Sequence, residues 1–119
     1  MSLLAGKRIL VVEDEAIIAF ALEDMLAELG CIVVGTAMDL DEARSMAEVE
    51  RIDAAILDVN INDGRSYPIA TRLEERGVPF VFATGYGEDG IDWQGGAAEL
   101  LPKPYRKEQV QGALLKLIG

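Results

Sequence analysis

The alternation of two kinds of apolar pattern constrains the fold of this 119-residue chain more than any other feature. Residues 9–12 form a continuous apolar run, which is typical of a strand buried on both faces of a sheet. Residues 15–29 then repeat apolar side chains at spacings of three and four, as an amphipathic helix does, and Gly30 is a helix stop signal. Further strands are predicted at 32–36, 54–57, 78–83 and 99–102, with further helices starting after Asp39, ending near Arg76 and covering 110–118.

This order of elements predicts an α/β fold of the (βα)5 type, a doubly wound five-stranded parallel sheet with helices on both faces, as in flavodoxin. We expect a single domain over residues 1–119, with its core at about 7–118. The fourth helix should be short, shifted or mobile. Residues 85–96 contain five glycines, and each internal glycine costs a helix about 1 kcal/mol relative to alanine. Residues 58–64 are predicted to form a polar loop.

Five polar side chains stand where the predicted strands end. Glu13 and Asp14 follow the first strand, and Asp58 follows the third. Thr84 ends the fourth strand, and Lys103 follows the fifth. Taken singly, each has an ordinary explanation as a helix cap, a turn residue or a surface charge. Ligands of such sheets bind beyond the carboxyl ends of the strands, so the joint placement of these residues predicts a shared crevice.

Three carboxylates in one crevice repel each other unless a cation is present. The chain has no histidine and one cysteine, Cys31, so an all-oxygen site for Mg²⁺ is predicted, with Mn²⁺ as a substitute. Asp14 and Asp58 are the expected direct ligands, a backbone carbonyl near Asn60 is a candidate further ligand, and Glu13 is expected to act through water. Asp58 is also a candidate nucleophile that can form an acyl phosphate.

The charge and composition exclude several function classes. The formal net charge of −10 disfavours direct binding to nucleic acid or to an anionic membrane surface. The lack of histidine excludes Ser-His-Asp and Cys-His catalysis. Cys31 is expected to be a small buried hydrophobe. Because a single cysteine forms no intrachain disulfide, a reducing cytoplasm is the expected compartment. No apolar run approaches the roughly 20 residues of a membrane span.

Four short blocks give the chain a close resemblance to the response-regulator receiver family, the CheY-like domains of two-component phosphorelays. They are LVVED at 10–14, LDVN at 57–60, FATG at 82–85 and KPY at 103–105. The resemblance implies that Asp58 takes a phosphoryl group from a histidine kinase or a histidine phosphotransfer protein, with Mg²⁺ bound. Thr84 and Lys103 would hold the phosphoryl group, and the change in conformation would signal to a downstream protein partner.

The resemblance also implies finer roles. Asn60 and Tyr86 occupy positions that tune the lifetime of the acyl phosphate, and the bond before Pro104 would be cis. The pentapeptide FATGY at 82–86 is similar to the FAT GUY receivers of alphaproteobacterial stress signalling, many of which are single-domain proteins. Leu100 stands where many receivers carry Tyr or Phe. The usual aromatic switch is therefore in doubt, and Tyr86 or Trp93 is a candidate substitute.

Other functions stay open at this stage. The chain is either a self-contained phospho-switch or a receiver fragment of a longer regulator with a DNA-binding or enzymatic output domain. It would catalyse its own phosphorylation and dephosphorylation without being a conventional turnover enzyme. A flavodoxin-like nucleotide or flavin binder would need a glycine-rich or hydroxyl-rich loop where Glu13, Asp14 and Glu15 stand. An aspartate-nucleophile phosphatase would need an acid at Asn60.

Overall fold

Five of the strands form one parallel sheet, in the order β2-β1-β3-β6-β7. The structure is a computed structural model that describes residues 3–62, 64–85, 91–96 and 99–118. Its elements are β1 (Arg8–Val12), α1 (Ala16–Glu28), β2 (Ile32–Ala37), α2 (Leu40–Met46), β3 (Ala54–Asp58), β4 (Asn60–Ile61), β5 (Gly64–Arg65), α3 (Tyr67–Glu75), β6 (Phe80–Thr84), β7 (Glu99–Pro102) and α4 (Lys107–Ile118). The predicted doubly wound sheet is confirmed, and the strand order reverses at β1.

Two apolar clusters, one on each face of the sheet, hold the layers together. Successive strand residues point to opposite faces, so Leu10 and Val12 face one cluster while Ile9 and Val11 face the other. The first cluster packs under α2 and α3, and the second packs under α1 and α4. Cys31 is buried in the second cluster, as expected. Helices therefore cover both faces of the sheet, as expected for a doubly wound fold.

Local signals explain where two of the helices begin. The Asp39 carboxylate caps α2 by accepting the amide of Glu42 at 2.8 Å, and Glu42 in turn accepts the amide of Met38 at 3.3 Å. Pro68 stands in the first turn of α3, where its missing N–H costs nothing. The Asp39 cap and the position of Pro68 thus favour helix starts close to the strand ends that precede them.

The segment after β3 is more ordered than the predicted polar loop. It contains a two-stranded antiparallel hairpin of β4 and β5, in which Asn60 pairs with Arg65. Ile61 is 1% exposed, so one apolar side chain anchors the hairpin to the first cluster. The polar residues on either side of Ile61, Asn60 and Asn62, led to the prediction of a loop. Residue 63 lies outside the described residues.

The segment between β6 and β7 departs from a regular (βα)5 fold. Of its residues, 85 and 91–96 are described, and none of these is helical. This agrees with the expectation of a weak fourth helix as far as the described residues go. Tyr86, with residues 87–90, lies outside them, so its predicted role is not addressed. Among the described residues there is no helix long and apolar enough to cross a membrane.

Candidate functional site

The carboxyl ends of β1, β3, β6 and β7 open into one cleft of about 570 Å³. Asp58 and Thr84 are the last residues of their strands, and Lys103 directly follows its strand. The cleft is lined by Asp14, Glu15, Asp58, Asn60, Asn62, Thr84, Gly85 and Lys103. Glu13 is completely buried beneath this lining. The structure therefore brings the predicted strand-end residues together.

Three carboxylates form a compact acidic cluster in the cleft. Glu13, Asp14 and Asp58 each offer one oxygen atom, and these atoms lie within 4.8 Å of one another. Asp58 is 6% exposed and Glu13 is fully buried, so water screens their charges poorly. A set of hard oxygen donors without nitrogen or sulfur fits Mg²⁺ and does not fit zinc. The chemistry of the donors thus suits a magnesium ion.

Lys103 is the cationic partner of this cluster. Its Nζ atom lies 3.0 Å from Asp58 Oδ2 and 3.1 Å from Glu13 Oε2. Burial alone would lower the pKa of Lys103, but the hydrogen bond to Asp58 and the charges of Asp58 and Glu13 outweigh burial and raise it. The main-chain amide of Lys103 donates to the Thr84 carbonyl at 3.0 Å. The Lys103–Pro104 peptide is cis, as expected.

Glu13 occupies the most desolvated position in the site. Burial, and then the negative charge of Asp58, raise its pKa to about 7. The hydroxyl of Tyr105 donates to Glu13 Oε2 at 3.3 Å, and the amide of Glu15 donates to Glu13 Oε1 at 3.2 Å. Burial, and then Glu13, raise the pKa of Tyr105, which keeps its proton on the phenol. Sequence reasoning gave Tyr105 no role, although a buried tyrosine needs a hydrogen-bond partner.

Asp14 is held from a different part of the chain. The main-chain amide of Asn62 donates to Asp14 Oδ2 at 2.7 Å. The amide of Asn60 donates to Asp58 Oδ1 at 3.4 Å, a long hydrogen bond. Sequence reasoning missed Asn62. The available signal was the sequence Asn-Asp-Gly at 62–64, which favours a turn with left-handed backbone.

Thr84 continues a row of side chains along β6. Residues of one strand share a face at every second position, so Phe80, Phe82 and Thr84 point to the same side of the sheet. The ring of Trp93 packs on this row, with its centroid 5.5 Å from that of Phe82 and 5.8 Å from that of Phe80. Leu100 pairs with Phe82 across the β6–β7 ladder and is partly buried against the same cluster. The indole thus packs on the strand that ends in Thr84.

Comparison with known proteins decides the family. The model of the response regulator receiver domain matches residues 9–115, which is most of the chain and includes every strand-end residue of the site. The chain belongs to the response regulator receiver family. The expectation from the short sequence blocks is therefore confirmed, and the fold and the acidic cleft are those of a receiver domain.

Solved structures and curated relatives agree with this assignment. SdrG from Sphingomonas melonis Fr1 is 43% identical with a TM-score of 0.83, and the match covers 100% of both chains. The receiver domain of the sensor histidine kinase PA1611 from Pseudomonas aeruginosa PAO1 is 30% identical with a TM-score of 0.83, over 97% of this chain and 99% of that one. Its structure carries a magnesium ion in the active-site cleft.

PdtaR from Mycobacterium tuberculosis, a transcriptional regulatory protein, is 32% identical over 83% of this chain and 50% of its own length. The chain thus spans about half the length of the curated relatives it matches. Receiver domains bind Mg²⁺ at an acidic pocket, and the cluster of Glu13, Asp14 and Asp58 is such a pocket. The predicted cofactor is therefore confirmed at the level of the family and the donor set.

Proposed function

We propose that this receiver domain accepts a phosphoryl group on Asp58 from the phosphohistidine of a histidine kinase or histidine phosphotransfer protein, in the cytoplasm. One observation carries the proposal: Asp58 lines the cleft as a member of the acidic cluster, and its carboxylate lies 3.0 Å from the Lys103 ammonium. Asp58 therefore has both the carboxylates of a metal site and the ammonium group of Lys103 beside it. Both are what phosphoryl transfer to a carboxylate needs.

The reaction conserves bonds and charge without an added reagent. A carboxylate oxygen of Asp58 attacks phosphorus, the P–N bond of the phosphohistidine breaks, and its electron pair returns to the imidazole nitrogen. Mg²⁺, when bound, offsets the negative charge of the phosphoryl oxygens. Asp14, Asp58 and the Asn60 carbonyl would hold the ion, with Glu13 acting through water. Attack of water on the acyl phosphate later restores the carboxylate and releases inorganic phosphate.

Lys103 and Thr84 would both bind the new phosphoryl group. Lys103 already contacts Asp58, so its ammonium needs only a small shift to bond a phosphoryl oxygen. Thr84 is 5% exposed and lies in the lining of the same cleft. Its movement toward the phosphoryl group would disturb the row that it shares with Phe82. The contact of Phe82 with Trp93 would carry that change to residues 91–96 and so to a downstream protein.

Intact-protein mass spectrometry tests the acceptor. Phosphoramidate or acetyl phosphate with Mg²⁺ should add one phosphoryl mass to the wild-type protein, and omission of Mg²⁺ should suppress the addition. Asp58→Asn should abolish it. Asp41→Asn is the matched control, because the Asp41 side chain is 96% exposed at the start of α2 and has no part in the cleft. A phosphoryl mass that persists in Asp58→Asn would place the acceptor elsewhere.

An exposed apolar patch beside the cleft is the proposed docking site for the phosphodonor. Ile17 and Phe20 are 85% and 60% exposed, and they stand one turn apart on α1. The helix begins directly after Glu15, which lines the cleft. Large exposed apolar side chains commonly mark protein contacts, and a patch at this position would bring a phosphohistidine to Asp58. The patch fits an apolar helix face of the donor.

Two phosphodonors separate docking from chemistry. Ile17→Glu and Phe20→Glu should each slow phosphotransfer from a histidine kinase, found by phosphotransfer profiling, by about tenfold or more. Both should keep the wild-type rate with phosphoramidate, which needs no docking surface. Leu3→Glu is the control, since Leu3 is 69% exposed but lies on the segment before β1. An equal loss with both donors would contradict docking at the patch.

A receiver fragment of a longer regulator is the second candidate. The specific observation that favours it is the half-length match to PdtaR and to the other curated relatives. In that case the output would be DNA binding or catalysis by another domain, controlled by this one. The length of the native reading frame, or the mass of the protein purified from its host, distinguishes the two.

A further inference from the structure

We infer that Asn62 is a positioning residue for the metal site, and that it acts through its main-chain amide on Asp14. The inference rests on the proposed function and adds a residue that the family blocks in the sequence do not mark. The amide of Asn62 donates to Asp14 Oδ2 at 2.7 Å across 48 residues of sequence. A hydrogen bond from an amide to a carboxylate is charge-assisted and is among the stronger kinds in proteins.

Asn62 has an unusual backbone conformation, which directs its amide toward Asp14. Its φ angle is +54°, and it is the one non-glycine residue with positive φ among the described residues. Asparagine adopts this left-handed conformation more readily than most residues, and β-branched residues avoid it. Asn62 directly follows β4, and it lines the cleft. The turn conformation thus aims an N–H group at a candidate metal ligand.

The hairpin that carries this amide is held by the fold and needs no metal to form. Ile61 is buried, and the amide of Ser66 donates to the Val59 carbonyl at 2.9 Å, which closes the base of the hairpin. A methyl group added at Gly64 would lie 2.7 Å from Leu40 Cδ1, so the hairpin packs closely on α2. The Asn62 amide is therefore in place before any ion arrives.

Two consequences follow for Asp14. The Oδ2 atom of its carboxylate accepts the Asn62 amide, so Oδ1 would be the oxygen offered to an incoming cation. The carboxylate is also partly exposed, and without the amide it would rotate among several orientations. Groups that orient a metal ligand in this way commonly change metal affinity by about 10-fold to 100-fold. Asn62 would therefore strengthen Mg²⁺ binding without touching the ion.

A pair of substitutions at Asn62 tests the inference by magnesium titration. Asn62→Gly keeps both the amide and the left-handed conformation, so its dissociation constant for Mg²⁺ should stay within about twofold of wild type. Asn62→Val disfavours that conformation and should weaken Mg²⁺ binding by about tenfold or more. Binding is followed by NMR shifts of backbone amides, with circular dichroism as the check that each variant is folded. If Asn62→Val does not fold, Asn62→Ala takes its place.

Gly77→Val is the matched control. Gly77 also has a left-handed backbone, with φ of +72°, but it follows α3 at the other end of the sheet. It should lose stability in urea and keep the wild-type Mg²⁺ affinity. A second readout needs no metal: the Asn62 amide proton should exchange slowly in wild type and lose this protection in Asp14→Ala.

The outcomes separate the inference from the proposed function. If wild-type protein binds no Mg²⁺, the proposed function fails. If wild type binds Mg²⁺ and Asn62→Val binds it equally well, only the role of Asn62 is overturned. Equal weakening by Asn62→Gly and Asn62→Val would also overturn it, since the effect would then come from the asparagine side chain.

Discussion

Two connecting segments follow strands that end at the cleft, and they are held in opposite ways. The β4–β5 hairpin is held by main-chain bonds and by one buried side chain, Ile61. Residues 91–96, here called the Trp93 segment, are held mostly by side chains that reach across from α3. The hairpin supplies an amide to Asp14, whereas the Trp93 segment packs on the strand of Thr84. We infer from this comparison that the hairpin is a rigid support for the metal ligands. The Trp93 segment, by contrast, is a cover that can be released when the domain signals.

The contacts that hold the Trp93 segment all involve side chains. The Tyr67 hydroxyl accepts the amide of Asp92 at 2.6 Å, and Glu74 accepts the amide of Gly96 at 3.0 Å. The indole N–H of Trp93 donates to the Gly96 carbonyl at 2.8 Å. A methyl group added at Gly95 would lie 2.1 Å from the indole, so only glycine lets the ring fold over this turn. None of these bonds belongs to the sheet, so we expect that they can break without unfolding it.

The largest effect is expected at Lys103, the cation that pairs with the acidic cluster. Lys103→Met would leave the buried carboxylates of Glu13 and Asp58 without their partner. Breaking one side of a buried ion pair costs about 3–5 kcal/mol, and losing one stabilising donor slows a reaction by about 100-fold to 1,000-fold. Urea unfolding and the rate of phosphoramidate labelling measure the two effects.

Lys107→Met is the control for that variant, because Lys107 pairs with Glu28 on the exposed surface. It should change the free energy of unfolding by less than about 1 kcal/mol. A Lys103→Met protein that labels at the wild-type rate would remove Lys103 from the site.

The next effect tests the rigid segment. Ile61→Ala removes the buried anchor of the hairpin and should lower the free energy of unfolding by about 3 kcal/mol. Because the hairpin carries the Asn62 amide, the affinity for Mg²⁺ should fall as well. Calorimetric and urea unfolding give the first quantity and a magnesium titration gives the second. A loss of stability with unchanged Mg²⁺ affinity would mean that the hairpin does not support the site.

Trp93→Ala tests the Trp93 segment. The indole is partly buried against Phe80, Phe82 and Tyr67, so its loss should cost about 2 kcal/mol, less than a fully buried tryptophan would. The affinity for Mg²⁺ should stay at the wild-type value, since no Trp93 atom holds a metal ligand. Trp93 fluorescence in wild type should change when beryllofluoride and Mg²⁺ are added. If the Trp93 fluorescence of the wild-type protein did not change on this addition, an output path through Trp93 would be contradicted.

A milder variant isolates one bond of the Trp93 segment. Tyr67→Phe removes the hydroxyl that accepts the Asp92 amide and should cost about 1 kcal/mol. It keeps the ring that contacts Phe82 at 5.7 Å. If the bond restrains the segment, amide exchange at residues 92–96 should become faster in the variant while exchange in β1 stays constant. Equal exchange in both proteins would show that the rings alone hold the segment.

The last prediction is a pH dependence that arises at Glu13, on the metal-ligand side of the comparison. The pKa of Glu13 is raised to about 7, so its folded-state pKa lies above its ordinary value of 4.5. The metal-free protein should therefore lose stability as pH rises from 4.5 through about 7, as Glu13 ionises. Mg²⁺ competes with that proton, so its affinity should rise several-fold between pH 6 and pH 8. Glu13→Gln should flatten both dependences, and a profile unchanged in that variant would assign them to another group.

The sequence by itself determined the architecture and the composition of the site. Strand and helix patterns report which side chains are buried, and burial depends on local periodicity that can be counted along the chain. The rule that parallel strands end at one edge then placed Asp14, Asp58, Thr84 and Lys103 in one cleft. The description of residues 58–64 as a polar loop was incomplete, because its two buried apolar residues, Val59 and Ile61, are too few to show a periodicity.

Only the tertiary structure decided how the site is held together. The bond from the Asn62 amide to Asp14, the shared contact of Lys103 with Glu13 and Asp58, and the Tyr105 hydroxyl on Glu13 join residues far apart in the chain. Main-chain amides carry no side-chain identity, and their directions depend on turn conformation and strand register. Such contacts arise when the layers pack, so the identities of the residues cannot reveal them in advance.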